Sequence, residues 1–210
     1  MKSFSKDFQA ELKNLMKWRR DVRHFNTDPI PTDTLLDCLN AFGMAPSVGL
    51  SEPWRIVRVS SDSARAAALA NFHTANADAL AGYSGEKAQI YAGLKLSGMT
   101  DAPEQIAVFC DDATTKGGGL GAKTMPEMRR YSVVSAIMTF WLALRAQGLG
   151  LGWVSILDPV QMRRDLDVPE QWHLIAYLCI GWPKQDTLTP ELETVGWEAR
   201  EPALTKWIER

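Results

Sequence analysis

Apolar residues recur at helical spacing near the start of the chain, where Phe8, Leu12 and Leu15 fall three and four positions apart. That spacing gives one apolar and one polar face, so residues 5–18 are predicted to form an amphipathic helix. It runs out into the polar string Arg19-Arg20-Asp21-Val22-Arg23. Pro29 and Pro31 then interrupt the chain, and Thr32 is the predicted N-cap of a second helix carrying Leu35, Leu36, Leu39 and Phe42, which stops near Gly43 and Pro46.

Trp54 to Val59 alternates and is rich in β-formers, which predicts a strand. Residues 61–98 are alanine-rich and predicted helical, with a break around Gly82 to Gly85. Gln105 to Cys110 is almost wholly apolar, as a strand buried on both faces would be. From about Pro126 to Gln147 the pattern predicts a long central helix closed by Gly148 and covered on several sides. Its apolar part, Tyr131 to Leu144, falls short of the ~20 residues needed to span a membrane. Leu151 to Ile156 and His173 to Ile180 are two further predicted strands. Between them Asp158-Pro159-Val160-Gln161 opens a short helix, with Asp158 as N-cap and Pro159 at the first helical position.

Helices and strands thus alternate through a length that suits one domain, residues 1–210. The last part, from Trp182 on, holds three of the eight tryptophans and little periodicity. Segment 183–210 is read as a C-terminal extension, and an apolar tail of this kind is expected to lie across a second subunit.

Charge narrows the partner class. The 23 basic and 25 acidic residues are interspersed and give a net charge of -2, so a broad nucleic-acid footprint is missing and a small molecule is the expected ligand. Cys38, Cys110 and Cys179 stand far apart in apolar contexts, which suits reduced thiols in a cytoplasmic protein. His24, His73 and His173 are scattered, and no zinc or iron-sulfur spacing occurs, so no metal is expected. Met1 to Asp7 is polar and unlike a signal peptide.

Four stretches bear on chemistry. Arg19, Arg20 and Arg23 put three permanent cations within five residues, a pattern that fits either a solvated helix end or a phosphate site. Asp21, set among them, is a carboxylate able to handle a proton if a ligand lies over it. The loop Ala45-Pro46-Ser47-Val48-Gly49-Leu50-Ser51-Glu52-Pro53 reads equally as a tight connection or a ligand-contacting loop. Gly148-Leu149-Gly150-Leu151-Gly152-Trp153 follows a helix and precedes a strand, the reverse of the dinucleotide-binding order, so its glycines are read as allowing close backbone approach at a sheet end. Ser155, two residues beyond Trp153, is by default a satisfied core hydroxyl. Gly117 to Thr124 has the setting of a phosphate loop, but Ala122 stands where the last glycine belongs, and the stretch is read as a mobile lid.

Arg19 to Arg23, Ala45 to Gly49, Gly148 to Pro159 and Tyr177-Leu178-Cys179-Ile180-Gly181-Trp182-Pro183, in this order and spacing, resemble the 5,6-dimethylbenzimidazole synthases, a branch of the FMN-binding nitroreductase superfamily. The resemblance runs from about Lys17 to Pro183 and takes in Thr124-Met125-Pro126-Glu127. It implies an α+β, nitroreductase-like fold, a central mixed β-sheet flanked by helices in an intertwined homodimer, with FMN bound between subunits. By similarity Arg19, Arg20, Asp21, Val22, Arg23, Ser47, Leu96 and Ser155 would contact the flavin, and Asp21 and Ser155 would be catalytic. The implied reaction consumes reduced FMN and dioxygen to give 5,6-dimethylbenzimidazole and erythrose 4-phosphate. A separate NAD(P)H-dependent flavin reductase would supply the reduced flavin. Two departures stand out: Glu52 where related nitroreductases often have glutamine, and no clear match in the tail for the basic residues that others place on the phosphate. The alternatives are a plain FMN-dependent nitroreductase or quinone reductase, a cob(II)yrinic acid a,c-diamide reductase, and a flavin-binding storage or sensor protein without turnover.

Overall fold

The computed structural model describes residues 2–94 and 97–210. Its centre is β3 (Glu104–Asp111), buried from residue 104 to 110 because both of its faces are covered. β2 (Trp54–Arg58) pairs with one edge of β3 and β5 (Trp172–Pro183) with the other. β5 in turn carries β4 (Gly150–Val154) along residues 177–181, and the two-residue β1 (Phe25–Asn26) at 182–183. These ladders all run antiparallel; the parallel element is a single bridge, Asp21 to Leu151.

The period of two along β3 feeds two cores. Ile106, Val108 and Cys110 share a cluster with Val133, Ile137, Phe140 and Leu144 of α6 (Met128–Ala146). Ala107 and Phe109 share the other with Phe72 of α3 (Asp62–Ala81) and Met162 of α7 (Pro159–Asp165). Each large side chain so buried contributes about 1.5–3 kcal/mol. The sheet is therefore a rigid floor, and its edge at β4 is where chemistry-bearing residues collect.

Local signals place most elements. Ser5 caps α1 (Lys6–Trp18), its Oγ accepting from Phe8 N–H at 3.2 Å. Asp158 caps α7, its Oδ1 accepting from the N–H groups of Val160 and Gln161 at 2.8 and 3.0 Å. Gly148, at φ +79°, ends α6 in the left-handed conformation that glycine adopts without strain. The helical stretch after Ser61 breaks as expected, between α3 and α4 (Gly85–Gly93), and α5 (Gly98–Asp101) follows.

Several boundaries differ from the sequence reading. Thr32 is the first residue of α2 (Thr32–Leu39), not its cap: the carbonyl of Pro31 accepts from Leu35 N–H at 3.1 Å, so the proline holds the capping position. The chain continues as a 3-10 turn, Asn40–Met44. β4 stops at Val154 because the chain turns away to seat Asp158, whose N–H donates to Asn71 Oδ1 at 2.7 Å while Asn71 Nδ2 donates back to the Asp158 carbonyl at 3.0 Å. α6 is buried along Val133, Ile137, Phe140 and Leu144 but leaves Tyr131, Val134 and Met138 exposed at 54, 42 and 38 %. In a single chain it is thus open on one side.

Within the extension 183–210, Trp197 packs edge-on to Tyr83 at 5.3 Å and beside Tyr91 at 6.3 Å, partners from its own chain. Leu204, Trp207 and Ile208 at the end stay exposed. All three cysteines are free and buried. Among the described residues no helix is long and apolar enough to cross a membrane, and no group of three or more His, Cys, Asp or Glu stands in position to hold a metal.

Candidate active site

Past the C-terminus of α1 the chain runs beside β4. Val22 N–H donates to the Leu151 carbonyl at 3.0 Å, and Trp153 N–H donates to Asp21 Oδ1 at 2.8 Å. Two glycines permit this approach: a Cβ on Gly152 would stand 2.2 Å from the Val22 carbonyl oxygen, and one on Gly150 would stand 2.7 Å from Val22 Cγ2. The reading of these glycines as close-approach positions holds.

The other carboxylate oxygen, Asp21 Oδ2, lies 3.6 Å from Arg23 Nε, which is also 3.7 Å from Glu191 Oε2 on the short helix α8 (Glu191–Thr194). The Arg23 carbonyl accepts from Gly98 N–H at 3.0 Å and Ser97 Oγ at 3.2 Å, which fixes the segment from behind. Desolvation raises the Asp21 carboxyl above the usual carboxylate range, and the Trp153 N–H and the charges of Arg23 and Arg19 oppose the shift without cancelling it. The side chain is still 41 % accessible. It sits at the wall of a recess, open to a small ligand yet surrounded by protein, so the direction of the shift stands and its size is damped by solvent.

Asp21 borders three concave spaces among the described residues, the smallest a gap of about 10 Å³ beside Gly152 and Met99. A cleft of about 460 Å³ is lined by Trp18, Arg20, Arg23, Trp141, Lys184 and Asp21 among others. A recess of about 110 Å³ is framed by Arg19, Arg20, Arg23 and Arg200. Arg19 lies over the Trp141 ring at 4.7 Å, and its buried Nε has no hydrogen-bond partner among the described residues. Arg20 donates to the Arg19 carbonyl at 2.9 Å and through Nε to the Leu188 carbonyl at 3.0 Å, tying the extension to the site. Burial, and then the charge of Arg200, lower the pKa of both Arg19 and Arg20, while Asp21 and Glu193 oppose the shift without cancelling it, so four guanidinium groups outweigh the carboxylates beside them. An anion such as a phosphate fits the orphaned nitrogen and the mutual repulsion together.

The sequence shows no clear match in the tail for a basic residue on a phosphate, yet Arg200 of the tail lines this recess. It stands in Glu198-Ala199-Arg200-Glu201, a stretch of alternating charge with no motif to mark it. Ser155 is corrected. It is exposed, one residue beyond β4, and not a core hydroxyl. It stands two residues beyond Trp153, whose amide holds Asp21, and it does not line the spaces that Asp21 borders. Leu96 lies outside the described residues.

Ser47 belongs elsewhere within one chain. Its Oγ accepts from Glu52 N–H at 3.1 Å, and the next residue, Val48, donates its N–H to Ser132 Oγ in the first turns of α6 at 3.0 Å. Trp141, under Arg19, is nine residues further along that helix, about 14 Å at 1.5 Å per residue. The Ser47 loop holds Leu50 and Glu52 at φ +55° and +44°, conformations costly for residues other than glycine. Glu52 forms an ion pair with Lys116, and a Cβ on Gly117 would fall 2.3 Å from the Gly49 carbonyl, so the glycine-rich loop 117–121 is seated backbone to backbone on this one.

A central antiparallel sheet lies between α6 and α3/α7, with an arginine-framed recess at the β4 edge, and the nitroreductase family model matches residues 16–182. The chain belongs to the nitroreductase family. Within it, the chain is 53 % identical over 199 residues to the 5,6-dimethylbenzimidazole synthase of Rhodospirillum rubrum, covering 95 % of this chain and 94 % of that one. It is 46 % identical to the protein of the same name from Rhodobacter capsulatus, over 99 % of this chain and all of that one. Among solved structures, an oxidized iodotyrosine deiodinase bound to FMN and 3-iodo-L-tyrosine superimposes with a TM-score of 0.71 at 22 % identity, covering 84 % of this chain and 91 % of that one, a likeness of fold.

Proposed function

We propose that this chain is a 5,6-dimethylbenzimidazole synthase, which takes reduced FMN and dioxygen and yields 5,6-dimethylbenzimidazole, the lower ligand of cobalamin, with erythrose 4-phosphate. The observation that carries this reading is the near-full-length identity to relatives of that name. The geometry at Asp21 supports it with the means to act.

Reduced FMN, when bound, supplies both the electrons that dioxygen takes and the carbon framework of the product. The residues of this chain do the rest. Arg19, Arg20, Arg23 and Arg200 hold the phosphate, and Val22 and Trp153 form part of the wall beside Asp21. Asp21, with one oxygen pinned by Trp153 N–H, keeps its second oxygen for proton transfer, and desolvation, by raising its pKa, favours its holding the proton it is to pass on. Ser155 orients the reacting ring by a hydrogen bond.

Ser47 would join this group from a second copy of the chain. The exposed stripe Tyr131, Val134 and Met138 on α6, and the seating of the Ser47 loop at Ser132, ~14 Å along that helix from Trp141, support a homodimer. Three reduced cysteines suit a cytoplasmic setting, where a separate flavin reductase delivers the substrate.

The test supplies FMN, NADH and a separate flavin reductase in air and looks for 5,6-dimethylbenzimidazole by mass spectrometry. Its formation is expected. No product, together with fast nitroaromatic reduction driven by NADH alone, returns the chain to the plain reductases.

A further inference from the structure

In a continued parallel ladder, the bond from Val22 N–H to the Leu151 carbonyl would be followed by one from Trp153 N–H to the Val22 carbonyl. Here that second bond is missing. Trp153 N–H goes to the Asp21 side chain, at 2.8 Å, and the Val22 carbonyl is turned onto the bare face of Gly152, where its oxygen lies 2.2 Å from the position a Cβ would take. The ladder is interrupted after one bridge, and a carboxylate occupies the acceptor position that the main chain has vacated.

We infer that Gly152 is a positioning residue: by accepting the Val22 carbonyl against its Cα, it frees the Trp153 N–H to aim the Asp21 carboxylate into the site. The obstacle to any side chain at 152 is backbone, which cannot swing aside as a rotamer can. Gly150 makes a useful contrast, because its Cβ would meet side-chain atoms, Val22 Cγ2 at 2.7 Å and Pro183 Cγ at 2.9 Å. Both glycines look alike in the sequence, yet only one of them governs the direction of the carboxylate.

The inference rests on the proposed role of Asp21 for its effect on turnover, and its structural claim is tested without turnover. Amide hydrogen exchange and the proton shift of Trp153, followed by NMR on the full chain, report the bond to Asp21 directly. In Gly152→Ala the Trp153 amide is expected to lose its low-field shift and exchange at least about tenfold faster although Asp21 is still present, while Gly150→Ala keeps the native signature. An unchanged Trp153 amide in Gly152→Ala, or equal loss in Gly150→Ala, overturns the inference.

Should Gly152→Ala not fold, Asp21→Ala decides. If Gly152 holds the Val22 carbonyl aside, the Trp153 amide becomes unprotected in that variant. If the amide stays protected, the ladder has closed onto the Val22 carbonyl and the inference fails. In folded Gly152→Ala, benzimidazole formation is expected to fall about a hundredfold with FMN affinity changed less than about threefold, the pattern of a misaimed group rather than a lost binding contact. A wild-type protein that makes no benzimidazole would defeat the proposed function and leave the Trp153 measurements to stand or fall alone.

Discussion

Asp21 and Trp153 are joined by a hydrogen bond from the Trp153 main-chain N–H to the Asp21 carboxylate, 2.8 Å long, across 132 residues of sequence. It ties the turn after α1 to the edge strand β4 and makes one oxygen of the Asp21 carboxylate a fixed point. An asparagine at 21 can accept the same bond, so Asp21→Asn isolates the proton from the geometry. The variant is expected to bind FMN as the wild type does and to lose at least about a hundredfold in product formation, measured by ligand titration and mass spectrometry.

The same carboxyl has a signature in stability. Because its pKa is raised in the folded state, the native protein holds a proton that the unfolded chain has released, and stability falls as pH climbs from the ordinary carboxylate value, about 3.9, through the raised one. Asp21→Asn lacks this slope. The Tm of the variant relative to wild type should therefore increase across that interval. A difference that is flat with pH would mean that the desolvation of Asp21 is not felt by folding.

Ser155 is exposed and lies outside the ladder, so Ser155→Ala is expected to leave thermal stability within about 0.5 kcal/mol of wild type. Product formation should nonetheless fall. Wild-type turnover in this variant would remove Ser155 from the chemistry, and a large loss of stability would contradict its place in the fold.

Arg200 faces Arg19 and Arg20 across the small recess. Removing one charge-assisted contact costs about 1.5–3 kcal/mol, so Arg200→Gln should weaken FMN binding roughly ten- to a hundredfold. Riboflavin, which lacks the phosphate, should bind both forms alike. Equal weakening for riboflavin would place Arg200 away from the phosphate.

On α6, Val134 lies in the exposed apolar stripe between Tyr131 and Met138. Val134→Glu puts a charge where a second copy is proposed to pack. Sedimentation should show a dimer for the wild type and a monomer for the variant, and if Ser47 completes the site from a second copy, FMN binding should be lost in parallel.

Much of this was legible before any coordinates. Period-two and period-3.6 patterns, together with the cap Asp158 and the stop at Gly148, delimit α1, β3, α6 and α7, since each rests on a local physical cause. β1 was not legible, because two residues at the end of a polar string carry no period. Ser155 was misread as core because alternation does not reveal where a strand lets go of its partner, and here the lure is the distant pair Asp158 and Asn71. Arg200 was invisible for a related reason: a residue recruited by chain path alone, from a tail anchored through Trp197 and the Leu188 carbonyl, leaves no pattern in its neighbours. Arg19 to Arg23 stood out by charge density, but their convergence with the tail is a tertiary fact.

The burial of Cys38, Cys110 and Cys179 has a consequence for chemical durability. The oxidisable form of cysteine is the thiolate, and burial pushes the Cys179 thiol up to about 12, which leaves almost none of it ionised at neutral pH. With all three thiols sealed in the two cores that flank the sheet, oxidative wear on the protein falls on its exposed methionines, Met16, Met44 and Met125, rather than on the thiols it carries.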